Sequence, residues 1–157
     1  MKRMLTKKWI RKMPGITVLE VMLALAVSAL IIIAVVMFYN ATKTSASVSK
    51  VISDMNGIVA AADTYIAGGG AASNLTGDNA ISTLQGAGLL PATLNDPWGL
   101  PYTATVTAAT ASTATIEIGI PGAKSGDSNC NALVSATASQ SNVTPVSGGT
   151  CSFVYQL

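Results

Sequence analysis

One long apolar stretch dominates the chain. It runs from Val21 to Tyr39, a span of 19 residues with Ser28 as its only polar interior member. A helix of that length crosses the roughly 30 Å hydrocarbon core of a bilayer. A helix on the surface of a soluble protein has a polar face, and this stretch, called the apolar run below, has none. The sequence therefore predicts a membrane-spanning helix near the N-terminus.

The charges around the apolar run predict its orientation. Six of the nine Lys and Arg residues precede it, and the next cation is Lys43. Because positive residues favour the cytoplasmic side, we expect a cytoplasmic N-terminus and an exported remainder. A secretory signal peptide is a poorer fit, since the run is too long and residues 40–43 offer no small-x-small cleavage site. A plain signal anchor fits the length better than a secretory signal peptide does.

Glu20, at the start of the apolar run, separates these interpretations. A carboxylate at the edge of a spanning helix costs on the order of 2–3 kcal/mol, so it is by default a functional candidate with a partner to be found. No cation lies one or two helical turns beyond it. A cut between Gly15 and Ile16 would create an ammonium group at the same membrane depth. Glu20 then has three options: this ammonium in its own chain, the same group in a neighbour, or the membrane interface.

The hexapeptide Gly15-Ile16-Thr17-Val18-Leu19-Glu20, with its basic leader and apolar run, resembles the processing site of type IV pilins and type II secretion pseudopilins. The resemblance implies that residues 1–15 are a leader. An inner-membrane aspartyl prepilin peptidase would cut after Gly15 and methylate the new first residue, Ile16. Glu20 would be the assembly carboxylate, which docks onto the N-terminus of a neighbouring subunit.

Composition argues against other functions. Removal of residues 1–15 leaves three cations, Lys43, Lys50 and Lys124, against all seven acids. A chain of that charge lacks the basic face that supplies non-specific affinity for nucleic acid, so no nucleic-acid partner is expected. The chain has no His, and no nucleophile sits beside a base and no carboxylate pair lies at short spacing. We therefore expect no enzyme and no cofactor.

Periodicity predicts one helix over residues 16–66. After the Ser- and Thr-rich patch 40–49, apolar residues recur at spacings of three and four, which trace one stripe of a helix: Val48, Val51, Ile52, Met55, Ile58, Val59, Ala62 and Ile66. Glycines 68–70 end it. We divide the mature chain into the membrane and assembly half of the helix (16–39), its amphipathic half (40–67) and an exported globular head (68–157).

The remainder of the chain predicts a small sheet. A short helix is expected around 79–85, and strands at 102–108, 113–120 and 151–155, with a turn at 109–112 and a loop-rich stretch from 122 to 150. Asn95 to Tyr102 forms a turn with two aromatics before the first strand. It resembles the Asp-Pro-Trp-Gly-x-Pro-Tyr turn of major pseudopilins and a related turn in some type IVb pilins.

Cys130 and Cys151 both fall on the exported side, where an even pair indicates a disulfide. It would contribute roughly 3 kcal/mol in the chain-entropy model. With no His and no third Cys, a metal site is disfavoured. Residues 127–131 have oxygens at alternate positions, as in a calcium loop. Ala132 and Ala138 replace the glycine and glutamate of that loop, so Asx turns are favoured there.

Taken with the resemblance, these patterns predict the type IV pilin fold. This is an α+β fold with a long N-terminal helix on a small antiparallel sheet and a disulfide-bounded C-terminal region. We expect a type IVb-like major pilin, located in the inner membrane and then in an extracellular filament. Its partners would be copies of itself, the prepilin peptidase, and the assembly platform with its ATPase. The alternatives are a pseudopilin or minor pilin, and a membrane-anchored binding domain that does not polymerise.

Overall fold

The computed structural model describes residues 17–77, 80–107, 114–140, 142–146 and 148–157. The elements are α1 (Val18–Ala67), a short 3-10 helix (Ala72–Leu75), α2 (Ala80–Gly86), β1 (Thr103–Thr107), β2 (Thr115–Lys124), α3 (Ser128–Thr137), β3 (Val143–Val146) and β4 (Thr150–Gln156). The leader, Gly15, Ile16 and the expected turn at 109–112 lie outside the described residues. The chain is α+β, and it divides into two compact units, residues 1–41 and 42–157. The second is called the folded unit below.

Helix α1 confirms the prediction of a single long helix. It begins after Thr17, whose hydroxyl and carbonyl oxygens both accept from the backbone N–H of Glu20, at 3.3 and 3.0 Å. It ends where Gly69 adopts a φ of +89°, a left-handed conformation that glycine adopts without steric cost. The N–H of Gly70 then closes the last turn by donating to the carbonyl of Tyr65, at 2.9 Å.

The four strands form one antiparallel sheet in the order β1-β2-β4-β3. Alternation along β2 buries Ile116, Ile118 and Ile120 completely, while Glu117 points to the opposite face. The predicted stripe of α1 is likewise buried at Val51, Met55, Ile58 and Ala62. These two apolar faces, with Phe153 and Tyr155 of β4, form a single core.

The expectation of a loop-rich stretch from 122 to 150 was wrong. It contains the end of β2, all of α3 and β3. Helix α3 buries Cys130, Leu133 and Thr137, a helical spacing that short polar neighbours obscure. Residues 128–131, expected to form Asx turns, are instead the first turn of α3. Pro145 lies on β3, an edge strand of the sheet, where a missing N–H is tolerated.

The disulfide between Cys130 and Cys151 is present and connects α3 to β4. Both cysteines belong to the buried core, with exposures of 7% and 1%. The bond links positions 21 residues apart, which places α3 against the sheet at the start of the last strand. The sequence predicted the pairing. Only the structure showed that Cys130 lies on a helix.

Candidate functional site

None of the described residues packs around the apolar run. Every large apolar side chain between Val18 and Tyr39 is exposed, with values from 47% at Val21 to 76% at Val18. By length and composition α1 is able to cross a membrane, and none of its most apolar window is buried. Covering such side chains stabilises a structure by about 1.5–3 kcal/mol each. This surface therefore requires lipid or other protein chains around it.

The one polar side chain inside the apolar run is internally satisfied. The hydroxyl of Ser28 donates to the carbonyl oxygen of Ala24 at 2.7 Å. An unpaired hydroxyl donor is costly in an apolar medium, but a hydroxyl that donates to its own helix avoids that cost. Ser28 is thus compatible with hydrocarbon or with a closely packed neighbouring helix.

Glu20 differs from Ser28, because no described residue forms an ion pair or hydrogen bond with its carboxylate. Thr17 and Glu20 have the spacing of a capping box, a signal that the sequence analysis missed. Only half of that motif forms: the Thr17 hydroxyl accepts from the Glu20 N–H, with no return bond from the Glu20 side chain. The cap fixes the helix start and does not use the Glu20 carboxylate.

Glu20 lies at one end of a shallow groove along α1. Val21, Ala24, Leu25 and Ser28 complete the lining. In water the carboxylate is hydrated, but in hydrocarbon it requires a cation at the same depth. A positive group presented beside an apolar surface would therefore complement this groove. The predicted source of that group, the Gly15–Ile16 bond, lies outside the described residues.

A second polar site occurs in the folded unit, at the turn predicted from Asn95 to Tyr102. Asp96 is 4% exposed. Its Oδ1 accepts from the N–H groups of Trp98 and Leu100, at 3.0 and 2.8 Å. Its Oδ2 accepts from the N–H of Gly122 on β2, at 2.8 Å. One buried carboxylate thus closes the turn and attaches it to the sheet.

A third polar cluster joins α1 to this turn. The Tyr102 hydroxyl donates to Oδ2 of Asp54 at 2.9 Å, and Lys50 forms an ion pair with the same oxygen. Lys50 Nζ also donates to the carbonyl of Asn95 at 3.0 Å. Burial raises the pKa of Tyr102, and the hydrogen bond and negative charge of Asp54 raise it further, with a smaller contribution from the charge of Asp96.

The polar groups of both clusters are occupied by partners within the folded unit. The Asp96 oxygens are used by backbone donors, and the Tyr102 hydroxyl stays protonated. Within the described part of the chain, no group of three or more His, Cys, Asp or Glu residues could hold a metal ion. Among the described residues, the surface left without protein contacts is the apolar run together with the Glu20 carboxylate.

Comparisons with protein-family models, with curated proteins and with solved structures give no match for this chain.

Proposed function

We propose that this chain is the structural subunit of a type IV pilus. A prepilin peptidase cuts it after Gly15 and methylates Ile16, and the assembly platform and its ATPase polymerise it into a surface filament. The observation that carries the proposal is an exposed apolar run preceded by Glu20, whose carboxylate has no partner among the described residues. The filament serves adhesion, aggregation or conjugation.

The physical argument concerns register. In the membrane, Glu20 alone costs on the order of 2–3 kcal/mol. In a bundle of apolar helices, the ammonium group of a neighbour's Ile16 cancels that charge if the two helices are correctly staggered. A misplaced neighbour leaves two charges unpaired in an apolar medium, which costs several kcal/mol. The pair therefore selects one stagger, while the exposed Leu, Ile and Val side chains supply the cohesion.

The folded unit supports the same proposal. It combines the second half of α1 with a four-stranded antiparallel sheet and a Cys130–Cys151 disulfide near the C-terminus. That is the arrangement expected from the resemblance to type IVb pilins. The Asp96–Tyr102 turn resembles turns of both type II secretion pseudopilins and some type IVb pilins, so it does not separate the pilus from a second candidate, a pseudopilus, which would polymerise by the same contacts. Deleting the gene distinguishes the two: loss of surface filaments indicates a pilus, and loss of enzyme export indicates a pseudopilus.

The decisive experiment replaces Glu20 by alanine. We expect normal processing and membrane insertion but loss of filaments, scored by electron microscopy of sheared material. Asp63→Ala is the matched control, because Asp63 is an exposed acid on the same helix, outside the apolar run. Wild-type filament yield from Glu20→Ala would remove the carboxylate from the assembly mechanism.

Mass spectrometry of the exported chain tests the processing step separately. The expected product begins at Ile16 and carries one methyl group on its α-amine. An intact Met1 would favour the rival hypothesis, a membrane-anchored binding domain that never polymerises. Cleavage after the apolar run would indicate a secreted protein.

A further inference from the structure

The first residues of α1 in the folded unit lie outside its buried core. None of the residues from Thr42 to Ser49 is fully buried, and the first buried residue of α1 is Val51. Most are Ser or Thr, which are weaker helix formers than Ala or Leu. Segments with few buried contacts open locally at a fraction of the global free energy of unfolding. A boundary between a labile and a protected part of α1 therefore lies close to Val51.

Two polar contacts occur at this boundary, and both lead to the same turn. Lys50 reaches the carbonyl of Asn95, and Asp54, one helical turn later, accepts from the Tyr102 hydroxyl. The turn is itself fixed, because Asp96 accepts hydrogen bonds from three backbone N–H groups and these bonds hold the turn against β2. These contacts thus attach the beginning of the protected helix to a rigid point.

The two contacts differ in strength. Lys50 is half exposed, so its hydrogen bond to Asn95 and its ion pair with Asp54 both contribute little. Tyr102 is 4% exposed, and Asp54 is the one described acceptor of its hydroxyl. Removing Asp54 leaves a buried donor unpaired, which costs far more than losing an exposed pair.

We propose that the Asp54–Tyr102 hydrogen bond is a latch that fixes where the protected part of α1 begins. With the latch closed, α1 is protected from Val51 onward. With the latch open, the boundary moves along the helix to the next fully buried residues, Met55 and Ile58. The latch is a conformational device of the folded unit, and it is independent of polymerisation.

Hydrogen exchange of the full chain in detergent micelles tests this proposal. In Asp54→Ala we expect the amides of residues 51–58 to exchange at least about tenfold faster, the effect of one unpaired buried donor. Amides of β2 and β4 should change by less than about twofold. Asp54→Asn keeps an acceptor for Tyr102 and should restore most of the protection. Asp63→Ala, on the same helix but with no described bond to the turn, should exchange as the wild type does.

Tyr102→Phe provides a second test that keeps the packing of the ring. It should accelerate the same amides, and combining it with Asp54→Ala should add nothing beyond the larger single effect. Equal acceleration of helix and sheet amides would indicate a global loss of stability and overturn the latch. Unchanged exchange at residues 51–58 in both single variants would overturn it as well.

Discussion

Asp96 provides the sharpest test of how the folded unit is held together. Its carboxylate accepts three backbone N–H groups, from Trp98, Leu100 and Gly122, at 2.8 to 3.0 Å. A hydrogen bond to a charged group contributes about 1.5–3 kcal/mol. The three hydrogen bonds share one carboxylate, and water can enter the space that the Ala substitution leaves. Because both effects reduce the loss, we expect Asp96→Ala to lower the free energy of unfolding by about 4 kcal/mol. That is a large part of the 5–15 kcal/mol typical of a domain.

The assay is urea denaturation of the full chain in detergent, followed by the fluorescence of Trp98. A Trp9→Phe background makes Trp98 the single tryptophan, since the chain has two. Asp96→Asn should lose more than half of the free energy that Asp96→Ala loses, because the Asn amide N–H would face a backbone N–H donor. Asp63→Ala should stay within about 0.5 kcal/mol of the wild type. A loss below about 1 kcal/mol in Asp96→Ala would refute this account of the turn.

Three further predictions concern the same unit. Gly122→Ala should destabilise it in the urea assay, because the added Cβ would meet Oδ2 of Asp96 and lie 2.7 Å from Cβ of Trp98; stability equal to the wild type would contradict this crowding. The raised pKa of Tyr102 means that the folded state retains its proton above the ordinary value of 10.0. The contribution of Tyr102 to stability is therefore complete below pH 10 and is lost above it, so Tyr102→Phe should reduce the decline of stability above pH 10 in a pH series. Reduction of the Cys130–Cys151 bond should lower the melting temperature by roughly 10 °C, from about 3 kcal/mol of lost loop constraint; an unchanged melting temperature on adding reductant would show that the bond is dispensable.

Periodic patterns were the most informative part of the sequence. The spacing of Val51, Met55 and Ile58 predicted the buried stripe of α1, because apolar residues three and four apart share a helix face. Alternation at Ile116 and Ile118 predicted the inner face of β2 in the same way. Both patterns are local, so they require no knowledge of what covers them.

Short segments, and segments that mix apolar and polar residues, were harder to predict from the sequence. Helix α3 buries only three residues over Ser128–Thr137, and polar neighbours hide their spacing. Strand β3 contains Pro145, which counts against a strand until the sheet order places it at an edge. The Thr17 cap was visible as a spacing to Glu20. Its missing return bond came only from the structure.

The polar sites likewise differ in how far the sequence alone predicted them. Glu20 and the apolar run follow from sequence alone, because an acid next to an uninterrupted apolar stretch is costly whatever the rest of the chain does. The roles of Asp54 and Asp96 were decided by tertiary structure. Asp54 meets Tyr102 across 48 residues and Asp96 meets Gly122 across 26. Hydrogen bonds over such separations depend on how the sheet and α1 come together, and no local pattern encodes that.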